Sequence, residues 1–361
     1  REDHPQQEIY LVAAPFTLYR QATPVAEAEV FLRTPDAALA KRYLNATGKY
    51  LARYSNLIGT YPYAKFALVE NFWETGYGMP SFTLLGPQVI RLPFIVHTSC
   101  PHEILHNWWG NGVYVGYGSG NWSEGLTADL ADHLLKAEQG EGADYRRDAL
   151  KAYADYVRQG RDFPLVAFHS RHSSASQAIG YGKALMVFPM LRRKLGDRIF
   201  VLGLRRFYRD NRFRVASYDD LRHTFEQKSA TDLSDYFREW TQRTGAPRLA
   251  LADVTQEKEA KGYRLRGRLA LKTGRSAFSP RGPRGRPSRR RRDAGTADSA
   301  ALQGGEIRHT AARNGRSGRC RSALRPVSSP AARRVARDTK RPLRQRWKVQ
   351  LSGLCRPGAG E

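Results

Sequence analysis

The run His102-Glu103-Ile104-Leu105-His106, followed after seventeen intervening residues by Glu124 in Asn121-Trp122-Ser123-Glu124-Gly125, constrains this chain more than any other feature. On a helix, residues four apart lie one turn apart and share a face, so His102 and His106 point the same way. Two imidazoles at that spacing suit one tetrahedral Zn²⁺ ion. Glu103 points to the side, where it can take a proton from a water on the metal. A third ligand must come from elsewhere, and Glu124 is the candidate. Two His and one Glu leave the fourth position open, the pattern of a catalytic zinc site.

The surroundings agree with a helix pair. Ser99 or Cys100 can cap the first helix, Pro101 fits its first turn and Gly110 stops it. Leu105 and Trp108-Trp109 give it an apolar face. A second helix begins near Ser123, with Leu126, Leu130 and Leu134 at helical spacing, and Glu124 falls in its first turn. The bland alternative is a buried helix pair with satisfied polar groups. It has to account for two His and two Glu on otherwise apolar helices, although buried charge is costly unless paired or metal-bound.

In these residues the chain resembles the gluzincin aminopeptidases, the family of membrane alanyl aminopeptidase and leukotriene A hydrolase. The family pattern is His-Glu-x-x-His, eighteen residues, then Glu in an Asn-Glu-Gly setting; here the interval is one residue shorter. The glycine-rich stretch Gly112 to Gly120 can absorb that difference. Tyr61-Pro62-Tyr63-Ala64-Lys65 and Gly180-Tyr181-Gly182-Lys183-Ala184 resemble two further family segments. The resemblance implies zinc on His102, His106 and Glu124, Glu103 as general base, and Tyr181 as the hydrogen-bond donor to the developing oxyanion. A phenol suits that last role, being neutral at pH 7 with a donor on a rigid ring.

One stretch departs from the pattern. The family carries Gly-x-Met-Glu-Asn before the zinc helix, and its Glu holds the substrate's α-amine. Here Gly76-Tyr77-Gly78-Met79-Pro80-Ser81 puts Pro80 at that position. The backbone of Gly76–Gly78 can still pair with an extended peptide. Glu70 and Glu74, just upstream, are candidate replacements for the amine anchor.

The resemblance covers about residues 8 to 250 and implies an α+β, thermolysin-like catalytic domain, mainly helical after the zinc helices. The expected organisation is the end of an N-terminal β-domain over 1–20, the catalytic domain over 21–246, an incomplete β-sandwich over 247–272, and a disordered Arg/Gly/Pro-rich tail over 273–361. Beginning at Arg1, the chain reads as a fragment or a processed product.

Charge supports the separate tail. Residues 273–361 hold 23 Lys+Arg against 5 Asp+Glu, a net +18 of the chain's +26, so the catalytic part is only mildly basic. Apolar residues there are too sparse for a core. Three readings compete for it: a shifted reading frame, a solvated linker, and an arm that binds nucleic acid through phosphate. The abrupt break inside a hairpin favours the shifted frame, and nucleic acid is the least favoured partner. Cys100, Cys320 and Cys355 do not make a disulfide framework, and Cys100 reads as a small packed residue. No apolar run reaches the length of a membrane span.

Along the chain, residues 8–19 read as a strand, Asp36 to Leu57 as a helix capped by Thr34, and Phe66 to Phe72 as a strand. Helices are expected over 143–158, 180–195, 197–210, 217–228 and 231–243, with a capping box at Ser217 and Asp220 and a kink at Pro189. A β-hairpin is expected over 247–272. His169 and His172 are placed on a surface loop, and Asp129 and Asp132 are candidates to orient the zinc imidazoles. The chemistry expected is a zinc metallopeptidase acting on a peptide or protein substrate. The alternative is a degenerate peptide-binding module that holds zinc with little turnover.

Overall fold

The structure, a computed structural model, describes residues 6 and 8–272 apart from 75, 159, 247, 260 and 261. Its first layer is a five-stranded sheet backed by a long helix. The elements in order are β1 (Thr17–Ala22), β2 (Glu27–Leu32), α1 (Ala37–Leu57), β3 (Lys65–Glu70), β4 (Gly76–Met79) and β5 (Phe82–Leu85). The strand order is β1-β2-β3-β5-β4, with β2, β3 and β5 parallel and the two outer strands antiparallel to their neighbours. Phe66 to Glu70 in β3 are all buried, as a strand between two parallel neighbours must be. Short β4 is left as an edge strand.

The expected elements shift in detail. The strand read over 8–19 forms only from Thr17, crosses position 20 and pairs with β2. The strand β2 itself has no counterpart in the sequence reading. Asp36, not Thr34, caps α1, accepting a hydrogen bond from the Leu39 amide at 2.9 Å.

The second layer is helical. It comprises α2 (Ser99–Leu105), β6 (Tyr114–Val115), α3 (Trp122–Thr127), α4 (Leu134–Glu138), α5 (Gly142–Tyr156), α6 (Ser174–Gln177), α7 (Ala184–Leu195), α8 (Asp197–Asn211), β7 (Val215–Ala216), α9 (Tyr218–Ser229) and α10 (Ser234–Phe237). Three stretches widen to π-helix: Ala128–His133, Ala178–Lys183 and Arg238–Gln242. They join α3 to α4, join α6 to α7, and extend α10. The Ser217–Asp220 capping box forms as expected. Helix α7 runs through Pro189.

Two consecutive tryptophans tie the layers together. Trp108 meets Tyr54 of α1 at a ring separation of 5.9 Å and donates its indole N–H to the Gly59 carbonyl at 2.9 Å. Trp109 faces the other way, toward Trp122 of α3 and Phe207 of α8. Trp122 packs edge-on to Phe207 at 5.2 Å and donates to the Ala216 carbonyl at 2.7 Å. All three indoles are fully buried. The segment after α2 is therefore gripped from both sides.

A second unit begins at Gly245. In it β8 (Arg248–Glu259) and β9 (Gly262–Lys272) pair antiparallel, with a register shift between Ala252 and Thr255. The tail expected over 273–361 lies outside the described residues. Among the described residues, no helix is long and apolar enough to cross a membrane.

Because Trp122 is both buried and hydrogen-bonded, Trp122→Ala should lower the unfolding free energy by about 3–5 kcal/mol. Leu150→Ala, at a position 52% exposed, should change it by less than about 0.5 kcal/mol. Urea unfolding of the two variants checks the contrast.

Candidate metal centre

Helix α2 ends at Leu105, but His106 keeps helical backbone angles (φ −57°, ψ −18°), and its amide bonds the His102 carbonyl at 3.2 Å. The two rings therefore hold their one-turn relation. The outer nitrogen of each is taken. His102 Nδ1 faces the Asp132 carboxylate at 3.1 Å, and His106 Nδ1 faces the Trp109 carbonyl at 3.0 Å. Both partners can only accept, so each Nδ1 carries the proton and each Nε2 presents a lone pair. These two Nε2 atoms stand 3.1 Å apart.

The third donor arrives on α3. Asn121 caps that helix, its side-chain oxygen accepting from the Ser123 amide at 3.1 Å and its amide group donating to the His169 carbonyl at 3.0 Å. Glu124 sits in the first turn. Its Oε2 lies 3.6 Å from His102 Nε2 and 3.4 Å from His106 Nε2, and is buried without a hydrogen bond. A triangle with edges of 3.1, 3.4 and 3.6 Å has its corners about 2 Å from a common centre, the length of a Zn–N or Zn–O bond. An orphaned carboxylate oxygen facing two inward lone pairs is a donor set that fits zinc.

Electrostatics point the same way. Burial works against a positive charge on His102, but Asp132, Glu124 and Glu103 outweigh it and raise its pKa. Burial likewise opposes ionisation of Glu124, yet the two imidazoles hold its carboxyl well below the usual range. Three carboxylates around two imidazoles create a demand for positive charge in a buried place.

Glu103 is half-buried, and its desolvation raises its pKa, offset in part by the two imidazoles. Its carboxylate faces the edge strand. A Cβ on Gly78 would come within 2.6 Å of Glu103 Oε2, so β4 approaches Glu103 this closely only because that residue is glycine. Asn107, which the sequence reading passed over, fixes the distance. Its side-chain oxygen accepts the Ser81 amide at 2.8 Å, and its amide group donates to the Ile104 carbonyl at 3.0 Å. The turn after β4 is thus pinned to the segment that follows α2.

Tyr181 comes from the wide turn before α7. Its ring stacks on His102 at 6.3 Å, and the Glu124 charge acts on its hydroxyl. Burial and the Glu124 charge raise its pKa, so it stays protonated. Helices α3 and α7 touch at Gly125, where a Cβ would lie 2.5 Å from that of Ala184. That contact brings Glu124 and Tyr181 to one place.

Several sequence expectations resolve differently. Of the two candidate aspartates, Asp132 holds His102, whereas Asp129 accepts from His133 Nδ1 at 2.8 Å. Neither proposed amine anchor is free. Glu70 is buried and takes Arg91 at 2.6 Å and the Arg33 amide at 2.8 Å, while Glu74 accepts the amides of Gln88 and Val89. The stretch from Gly112 to Gly120 is anchored, because β6 pairs with β7. Thr98 occupies the cap position of α2, and its hydroxyl donates to the Phe94 carbonyl at 3.1 Å instead of accepting from the helix amides. His169 and His172 are exposed, as read, and Cys100 is fully buried with its thiol pushed up to about 12 by burial.

Comparison with known proteins agrees with this geometry. Residues 95–240 match the model of the peptidase family M1 domain. The matched segment includes His102, Glu103, His106, Glu124 and Tyr181. Aminopeptidase N of Haemophilus influenzae is 28% identical over 197 residues, 51% of this chain and 22% of that protein. The alanine/arginine aminopeptidase of Saccharomyces cerevisiae is 24% identical over 219 residues, 54% of this chain and 25% of that one. The chain thus spans about a quarter of the length of these relatives. A mutant M1 zinc metallopeptidase from Deinococcus radiodurans shares the fold at a TM-score of 0.52 and 18% identity, over 64% of this chain and 53% of that one.

If the three donors hold zinc, saturating the chain at a hundred times Kd should stabilise it by about 2.7 kcal/mol. Glu124→Ala should lose most of that gain, and a zinc-dependent shift in urea midpoint measures it. An equal shift in the variant would contradict the donor set.

Proposed function

We propose that the chain is a zinc-dependent metallopeptidase that hydrolyses peptide bonds. The observation that carries this reading is the grouping of Glu103 and Tyr181 around the His102, His106 and Glu124 donors, beside an edge strand. A zinc ion held by those donors supplies Lewis acidity toward a water and a carbonyl oxygen. The exposed edge of β4 offers backbone groups to an extended peptide, which fixes the scissile bond in register. Glu103 takes the proton of the attacking water and passes it to the leaving amine. Its raised pKa suits both halves of that transfer, since the group has to accept a proton and then release it. The Tyr181 hydroxyl would donate to the oxyanion as charge develops there.

The relatives named above are aminopeptidases, and an aminopeptidase-like cleavage is the finer proposal. Such an enzyme needs a partner for the substrate's ammonium group. Glu70 and Glu74 are committed elsewhere, so that partner is another group. The alternative of a peptide-binding module with little turnover has no observation in its favour, because the candidate base and oxyanion donor both face the cluster.

Glu103→Gln keeps the shape of the side chain and removes the base. It should retain one zinc and lose turnover by at least about 100-fold. Digestion of a mixed peptide library, read by mass spectrometry, reports this and the cleavage position together. Products shorter by one N-terminal residue support aminopeptidase action, and internal cuts support an endopeptidase. Undiminished turnover in Glu103→Gln, or loss of its zinc, would overturn the assignment.

A further inference from the structure

We propose that Lys65, the last residue of the Tyr61-Pro62-Tyr63-Ala64-Lys65 segment, is a positioning residue for the peptide-binding edge, acting on β4 through Ser81. The inference rests on the reading that β4 receives an extended peptide beside the metal centre.

Met79 pairs with Phe82, so β4 and β5 form a hairpin whose loop is the two residues Pro80 and Ser81. Loops of that length favour turns with a positive φ at the first loop residue, because those turns match the twist of the flanking strands. Proline cannot supply one, since its ring holds φ at about −65°. The left-handed residue is instead Ser81, at φ 66°, a region that disfavours any side chain. The local sequence therefore opposes the turn on which β4 hangs, and contacts from outside the hairpin have to hold it.

Those contacts engage every polar group of Ser81, which is buried. Its amide donates to Asn107 Oδ1 at 2.8 Å. Its carbonyl accepts from the Ala67 amide at 3.0 Å and from Lys65 Nζ at 3.1 Å. The same ammonium group donates to the Ser81 hydroxyl oxygen at 3.0 Å. Lys65 opens β3 and Asn107 follows α2, so Ser81 is held between the sheet and the metal-bearing segment. Tyr61 links the two holders, its hydroxyl lying 3.0 Å from the Lys65 carbonyl and 3.4 Å from Asn107 Oδ1.

The position of the turn sets the position of the strand. Gly78 has no room to move toward Glu103, because a Cβ there would already come within 2.6 Å of Glu103 Oε2. If the turn relaxes, β4 moves away and the edge that pairs with the peptide moves with it. Lys65 acts on that edge rather than on His102, His106 or Glu124. Its effect should therefore appear in how well peptide is held and not in how tightly zinc is bound.

The test is steady-state kinetics of the full chain on a peptide that the wild type cleaves from the mixed library. Zinc affinity is measured beside it by competition with a chromophoric chelator. Lys65→Met keeps a long side chain over the Phe82 ring and removes the donors. It should raise KM about ten-fold, the loss expected from hydrogen bonds to one charged group, and leave kcat within about three-fold. Zinc affinity should stay near that of the wild type. Adding Ser81→Gly to Lys65→Met should bring KM back to within about three-fold of the wild type, because glycine takes the left-handed turn without strain. An unchanged KM in Lys65→Met, a matching fall in zinc affinity, or no recovery with Ser81→Gly would overturn the proposal while leaving the metallopeptidase reading intact. If Lys65→Met does not fold, Ser81→Ala decides. It removes only the hydroxyl acceptor and should still raise KM, and an unchanged KM there overturns the proposal. A zinc-loaded wild-type chain that cleaves no peptide would overturn both.

Discussion

Three donor atoms from two helices converge to within 3.6 Å in a place that water barely reaches, and the electrostatic demand of that cluster governs its surroundings. Each imidazole would repel the other if both were charged, and Glu124 Oε2 is left without a hydrogen bond. A divalent cation removes both penalties at once. Every feature nearby either supplies a donor, aims one, or keeps the helices from relaxing apart. Glu70 and Glu74, by contrast, are met by an arginine and by backbone amides.

Rigidity is supplied by packing. The indoles of Trp108 and Trp109 turn in opposite directions from adjacent positions, so the chain leaving α2 is anchored in both layers. Asn107 links that segment to the turn after β4, and the close approach at Gly125 sets α3 against α7. These contacts fix Glu103 against the edge strand and Tyr181 against Glu124. General acid–base and oxyanion chemistry depend on such fixed distances.

Much of this was legible in the residues alone. His102 and His106 follow from the helical period, and Glu124 from its place in the first turn of a helix marked by Ser123 and spaced leucines. The Ser217–Asp220 capping box was equally readable, because it depends on four neighbouring residues. Long-range and irregular features were not. Period alone cannot choose between Asp129 and Asp132 when an unforeseen π-turn shifts the register by one residue. Asn107 gives no sign in sequence that it bridges to Ser81, and β6 pairs with a strand a hundred residues later. Carboxylates near the site in sequence, Glu70 and Glu74, proved to be engaged by Arg91 and by backbone amides.

The central claim is that one zinc ion is held by two imidazoles and a carboxylate. X-ray absorption at the zinc edge of the loaded full chain tests it most directly. The account predicts one zinc per chain with only nitrogen and oxygen neighbours at about 2.0–2.1 Å and the multiple-scattering signature of two imidazoles. A sulfur neighbour near 2.3 Å would place the metal on a cysteine, and a shell without imidazole would place it on a carboxylate surface site. Either result would contradict the account.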